Sequence, residues 1–379
     1  MGEMREKDDG EGMSGTREEL TGVPGLARLV VVDRTGSTND DLRSALTGVD
    51  GRLDLRAAAA WPHISALWAR RQDAGRGRAG RRWITPPGSA LTVSFVLRPL
   101  VPAAALAWLP LLAGLAARDV VDAILISARA PWRARTKWPN DVVLVPNERA
   151  GEGTAAGAST GAGTGGGAGA AAVPVPAEIP GWGRARKVAG VLAELIPTAG
   201  GIGARTSAGT TGTADASGAV AAGAADAPGA VGAAGAPGGG GAVGADRGAA
   251  CAVVLGIGVN TGQSESELPV PWATSLRLAG ARVEPRALLE PLSARLDGLV
   301  TAWEAGEGDP DAGDGALGAA LRRACTTLGR RVRVDAPGGV LRGTAVDIAP
   351  GLVLRGADGT MRTVDAGDVS HVRTDGAVD

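Results

Sequence analysis

The chain has 379 residues and a formal net charge of −1 at pH 7, so it carries no global basic field for nucleic acid or an anionic membrane surface. Its two cysteines, Cys251 and Cys325, cannot form a disulfide framework, which points to a reducing cytoplasm. The segment from Met1 to Glu19 is too polar for a secretory signal, and no apolar run approaches the roughly 18–20 residues of a membrane helix.

In chain order, residues 1–24 are charged, glycine-rich and without periodicity, and are expected to be a disordered leader. Leu29 to Asp33 is a buried strand. Ser37 or Thr38 then caps a helix through Leu42 and Leu46, with Asp40 and Asp41 favourable in its first turn. Hydroxyls at such a junction serve as caps; the alternative is that they hydrogen-bond a polar ligand head. Ile64 to Arg70 is a strand entering the stretch Gln72 to Trp83, and Leu91 to Leu97 is the strand leaving it. Four arginines and three glycines fall between Gly75 and Arg82. Glycine lets backbone approach a ligand closely, and arginine offers planar forks that match carboxylate and phosphate oxygens.

Residues 103–126 are helical by composition, with Pro110 expected to kink or divide the helix. In Lys137-Trp-Pro-Asn-Asp141, Pro139 presets an extended turn before a strand from Val142 to Val145. Turn chemistry accounts for Asn140 and Asp141 but not for a lysine followed by a tryptophan. Residues 151–181 and 198–249 are almost entirely Ala, Gly, Thr and Pro and are expected to be insertions in surface loops. Between them Arg186 to Ile196 is a strand. Ala252 to Asn260 is another, and its Gly256-Ile-Gly258 lacks the third glycine and following helix of a dinucleotide fingerprint. Pro285 to Trp303 is an amphipathic helix, and a shorter helix runs through Leu321. Five short strands over roughly 50 residues then suggest a small barrel of SH3 type.

Lysine occurs only at Lys7, Lys137 and Lys187, asparagine only at Asn39, Asn140, Asn147 and Asn260, and glutamine only at Gln72 and Gln263. Most of these fall in five ordered elements. They are Ser37-Thr-Asn39; Gln72 with Gly75-Arg-Gly-Arg-Ala-Gly-Arg81 and Trp83; Lys137-Trp-Pro-Asn-Asp141; Lys187-Val-Ala-Gly-Val-Leu-Ala-Glu194; and Gly256-Ile-Gly-Val-Asn260. Together they resemble the biotin–protein ligases (biotin–[acetyl-CoA-carboxylase] ligases), over about residues 26–374 apart from the two low-complexity tracts.

The resemblance implies an α/β (α+β) architecture: a mixed-sheet, class II synthetase-like biotin/lipoate ligase catalytic domain (25–324) followed by an SH3-like C-terminal domain (325–374). It implies that biotin and Mg-ATP give biotinyl-5′-adenylate, and that the acyl group then passes to one lysine of a biotin carboxyl carrier protein or domain of an acyl-CoA carboxylase. Carried over residue by residue, Ser37, Thr38, Asn39 and Gln72 bind the biotin head. Arg76, Gly77 and Arg78 close over biotin and the adenylate, and Lys137 sits where the carboxylate meets the α-phosphate. Arg76, Arg78 and Lys137 are the candidate catalytic residues. Gly75, Arg81, Trp83, Asn140, Asp141, Lys187, Gly190 and Asn260 belong to the adenylate side, with Mg²⁺ ligands undetermined. The polar leader cannot form the N-terminal winged helix of repressor members, so no nucleic-acid partner is expected, and a monomer or homodimer fits. The rivals are a lipoate-type acyl ligase, against which the Gly-Arg loop and Trp83 argue, and a nucleic-acid module built on Arg70 to Arg82, against which the balanced charge and scarce aromatics argue.

Overall fold

Strand alternation sets the architecture. Val93, Phe95 and Leu97 point to one face of their strand, as do Leu255, Ile257 and Val259 of a neighbour, and all six are buried in one large apolar cluster. Val96, Ala252 and Val254, from the same two strands, belong to a second cluster on the opposite face. A sheet apolar on both faces must be covered on both.

The computed structural model describes residues 13–84, 86–147, 176–198 and 251–371. Its elements begin with β1 (Met13–Leu20), β2 (Arg28–Thr35), α1 (Thr38–Leu46), α2 (Leu55–Ala59) and β3 (Ser65–Ala69). A small hairpin, β4 (Gly75–Arg76) and β5 (Arg82–Trp83), precedes β6 (Ala90–Leu97) and α3 (Leu109–Ser127). The sheet continues with β7 (Trp132–Lys137), β8 (Asp141–Pro146), β9 (Arg186–Pro197) and β10 (Cys251–Asn260). Helices α4 (Leu289–Ala305) and α5 (Ala316–Ala324) follow.

The main sheet has eight strands in the order β1-β2-β3-β6-β10-β9-β8-β7. Only β2 and β3 pair in parallel, so the sheet is mixed. Helices α3 and α4 cover one face through Leu112, Leu115, Leu125, Leu296 and Trp303; α1 covers the other through Leu42 and Leu46. Each such fully buried side chain contributes about 1.5–3 kcal/mol. No described helix is long and apolar enough to cross a membrane.

The C-terminal strands β11 (Arg331–Ala336), β12 (Gly339–Ile348), β13 (Leu352–Arg355), β14 (Met361–Val364) and β15 (Asp368–His371) form an antiparallel sheet in the order β14-β13-β12-β11-β15. Among the described residues no β14–β15 pairing closes it into a barrel. It packs on the main sheet and its helices, because Val332, Val334, Leu354 and Val369 belong to the same large cluster as α3 and β10.

Three expectations need correction. Residues 13–20, expected within the disordered leader, form the edge strand β1, paired antiparallel with β2. An exposed edge strand needs no apolar alternation; it is held by backbone bonds and by ion pairs such as Arg28–Glu19 at 2.9 Å. Pro110 does not kink a continuous helix: a 3₁₀ turn ends at Trp108 and Pro110 sits in the first turn of α3, where its missing N–H costs nothing. Residues 176–181, assigned to the first insertion, are ordered and lead through an Ile179–Gly183 bridge to β9. The rest of that tract, residues 199–249 and residues 1–12 lie outside the described residues.

His371 on β15 is buried, and its Nε2 has no hydrogen-bond partner among the described residues. Burial, and then the charges of Lys137 and Arg330, push its pKa down to about 3. The unfolded chain binds this proton near the ordinary value of 6.5, so stability falls as pH drops from about 6.5 toward 3. His371→Leu should flatten the decline in melting temperature between pH 7 and 5; an identical decline in both proteins would refute the assignment.

Candidate active site

The outer face of β6, β9 and β10 changes chemistry along its length. At one end Val96, Val254 and Ile196 lie under α1. Moving along the strands, the same face presents Ser94 and Thr92 on β6, Gly256 and Gly258 on β10, and Glu194, Leu192 and Gly190 on β9. Register places Gly256 between Ser94 and Leu192, and Gly258 between Thr92 and Gly190. Small and polar side chains leave the sheet uncovered there, and a cavity of about 600 Å³ opens above it.

The glycines on the floor have a steric reason. A Cβ on Gly258 would stand 2.6 Å from the Trp83 indole, one on Gly190 would stand 3.2 Å from it, and one on Gly256 would strike the Asn39 amide. The Gly-Ile-Gly pattern therefore makes room for two side chains instead of for a dinucleotide.

At one end of the cavity, Ser37 caps α1 by accepting from the Asp40 N–H at 3.4 Å. Thr38 does not cap; its N–H and Oγ1 both donate to Gln72 Oε1, at 2.8 and 2.9 Å. Ser94 Oγ lies 2.6 Å from both Thr38 Oγ1 and Asn39 Oδ1, and Asn39 Nδ2 donates to Glu194 Oε2 at 2.7 Å. A polar chain thus runs from Gln72 to Glu194. Gly75, alone of the predicted site residues, does not border the cavity; a side chain there would collide with Trp83 O at 2.6 Å and Gln72 Nε2 at 2.9 Å.

The hairpin β4–β5 roofs this end. Gly77 N–H donates to Arg81 O at 2.7 Å, and Ala79 and Gly80 turn the chain at φ 52° and 70°. Its arginines part company: Arg76 binds Asp40 and Glu194, whereas Arg81 binds Asp368 of β15. Arg78 is half-buried, and burial pushes its pKa down against the opposing pull of Asp368 and Asp141.

At the other end stands Lys137, 4% exposed, at the close of β7. Its Nζ donates to Val369 O of β15 at 2.6 Å and lies 4.3 Å from the centroid of Trp182. Burial, partly countered by Asp141, lowers its pKa. The adjoining Trp138–Pro139 bond is cis. Trp138 turns the opposite way: its N–H donates to Thr327 Oγ1 at 3.1 Å and its Nε1 to Pro350 O at 3.3 Å. The lysine faces the cavity while the tryptophan fastens the C-terminal sheet, which accounts for the pair that turn chemistry left over.

Asp141 pairs with Lys187 at 2.5 Å, and Lys187 Nζ lies 5.7 Å from the Trp83 ring. Asn140 spends its amide on Val191 O at 2.7 Å. Asn260 donates to Thr274 O at 3.0 Å and accepts from Gln263 at 2.9 Å. These two asparagines brace backbone around the site.

Every predicted residue except Gly75 therefore borders one cavity. Sequence reasoning missed the stacked pair Trp182–Trp272 (5.8 Å between centroids, 12° between planes) and the β15 residues Asp368 and Val369, which border the cavity, and Ser94 and Glu194, which hold Asn39 from outside its lining. Tryptophan is nearly the whole aromatic content of the chain, and that scarcity was a usable signal for Trp182 and Trp272.

Family models match in two places: the biotin/lipoate A/B protein ligase family over residues 53–204, and the biotin protein ligase C terminal domain over residues 327–372. The chain belongs to the biotin/lipoate protein ligase family. A relative named biotin–[acetyl-CoA-carboxylase] ligase from Mycobacterium tuberculosis is 28% identical over 364 residues, covering 94% of each chain. One of the same name from Paracoccus denitrificans is 38% identical over 118 residues, 31% of this chain and 42% of that one. Among solved structures, biotin protein ligase from Aquifex aeolicus in complex with biotin and ATP matches with a TM-score of 0.50 at 19% identity, covering 91% of this chain and 99% of that one; this likeness concerns the fold. All five sequence elements contribute residues to the one cavity.

Gly258→Ala should dislodge the Trp83 indole at an overpacking cost of about 1–3 kcal/mol. Denaturant unfolding together with tryptophan fluorescence checks this, and a variant unchanged in both would show that the glycine is dispensable.

Proposed function

We propose that this chain is a biotin–protein ligase that activates biotin with Mg-ATP and transfers it to a lysine on the biotin carrier domain of an acyl-CoA carboxylase. The observation that carries the reading is the placement of buried Lys137 in the same cavity as the glycine–arginine hairpin. In the first step a biotin carboxylate oxygen attacks the α-phosphorus, and the bond to pyrophosphate breaks. In the second the carrier amine attacks the acyl carbon, an amide forms and AMP leaves.

Both steps gather negative charge, so positioning and charge stabilisation dominate. Lys137, held away from water, presents a weakly screened charge to the carboxylate and α-phosphate. Arg76, Gly77 and Arg78 would cover the intermediate, a mixed anhydride that water must not reach. Thr38, Asn39 and Gln72 would take the polar head of biotin, helped by Ser37 at the helix terminus. Lys187, Arg81 and the indoles of Trp83, Trp182 and Trp272 suit the nucleotide side, with Gly190 leaving space.

The cationic walls suit a polyphosphate. Among the described residues no three metal-ligating side chains converge. A magnesium ion would therefore be held chiefly by phosphate oxygens and water, with Asp141 and Asp368 the carboxylates at hand; when bound it neutralises developing phosphate charge.

Biotin is favoured over lipoate because the C-terminal sheet matches the biotin-ligase C-terminal model. The proposal includes no nucleic-acid partner, and a salt-dependent gel shift would overturn that part. Incubating a recombinant carrier domain with the protein, biotin and Mg-ATP should add one biotinyl group by mass spectrometry; lipoyl addition instead would favour the rival. Lys137→Ala should abolish biotin-dependent ATP–pyrophosphate exchange, and near-normal exchange would show that the charge comes from elsewhere.

A further inference from the structure

Glu194 is a β9 carboxylate just outside the cavity lining, and it is bound by Arg76 of the roof. It sits on β9 opposite Val254 of β10, one strand alternation from Ile196 in the apolar cluster under α1. A carboxylate beside that cluster carries a desolvation cost unless its oxygens are fully used. They are used on three sides. Oε2 accepts from Asn39 Nδ2 at 2.7 Å, Arg76 Nη2 lies 3.1 and 3.2 Å from the two oxygens, and Arg43 Nη1 lies 3.3 Å from Oε1. The Glu194 side chain is 13% exposed, whereas the second carboxylate on Arg76, Asp40, is 48% exposed. Screening weakens an exposed pair far more than a shielded one, so Glu194 is the partner that fixes Arg76.

The geometry points to Glu194 as the latch of the roof: a positioning residue that ties Arg76 of the hairpin to the hydrogen-bonded floor and sets how long the cavity holds its reactive intermediate. This deepens the ligase reading and rests on it. The floor network makes the coupling specific. Asn39 has its Oδ1 against Ser94 and its Nδ2 on Glu194, so a ligand head seated against Asn39 and Thr38 orders the same carboxylate that grips the roof. Occupation of the floor and closure of the hairpin then favour one another through Glu194, with no contact needed between ligand and latch.

A structural ion pair alone would lower stability when broken but would not alter how the intermediate partitions between retention and escape. The readout is therefore a ratio: the rate at which biotinyl-adenylate escapes to label serum albumin, divided by the rate of biotin-dependent pyrophosphate exchange. In the full-length protein, Glu194→Gln and Arg76→Ala should each raise this ratio about tenfold, and the double variant no further than either single one, as for two residues acting through one contact. Glu194→Asp keeps the charge, shortens the reach and serves as the milder variant if Glu194→Gln does not fold. Arg43→Ala, which removes only the outer partner, should leave the ratio unchanged. A ratio unmoved by Glu194 substitution, or additive effects in the double variant, would overturn the latch while leaving the ligase intact. No biotin-dependent exchange in the unsubstituted protein would overturn the ligase reading, and the latch with it.

Discussion

The structure is organised around a positive charge held where water hardly reaches. Lys137 is 4% exposed, and an ammonium in such a place must be compensated or give up its proton. Its compensation comes from parts of the chain far apart in sequence: the carbonyl of Val369, the ring face of Trp182 and, more distantly, the carboxylate of Asp141. Each requires a different region to be folded. The hairpin between β7 and β8 must turn, the segment before β9 must deliver Trp182, and the C-terminal sheet must dock. A charge so placed is costly in the empty protein and useful when an anion arrives, because the same desolvation strengthens the attraction.

The second constraint is spatial. A sheet normally presents side chains on both faces, and a ligand needs a region where one face presents almost none. Gly256 and Gly258 supply it on β10, Gly190 on β9, and Thr92 and Ser94 on β6. One strand face therefore serves as core under α1 and as floor a few residues on. The transition falls at Glu194, the one acidic residue of β9.

Much of this was legible in the sequence because the informative residues are local. The strands around the Gly-Arg stretch, the capped helix after Ser37 and the Lys137–Asp141 turn announce themselves by alternation and turn chemistry. What was not legible depends on neighbours distant in the chain. The edge strand β1 has no apolar period because Thr16 to Glu19 are exposed and bury no apolar face. β7 alternates arginine with alanine and threonine at the opposite edge, so its pattern is polar also. Ser94 looks like an ordinary strand serine until Thr38 and Asn39 are brought to it. Asp368 and Val369 belong to a segment whose composition speaks only of short strands. No α-helix directly follows the glycine pair on β10, and its steric purpose became visible only with Trp83 and Asn39 in place.

Trp138 has a wider consequence. Its backbone N–H and its indole join the turn that carries Lys137 to Thr327 and Pro350 respectively, and the apolar cluster continues without a break from β10 through α3 into β11 and β13. Two sheets sharing one continuous interior melt together and not as independent modules. The C-terminal sheet is therefore part of the cooperative unit that holds the lysine in place: chain removed at Val369 is subtracted from the wall of the cavity, 232 residues from the lysine.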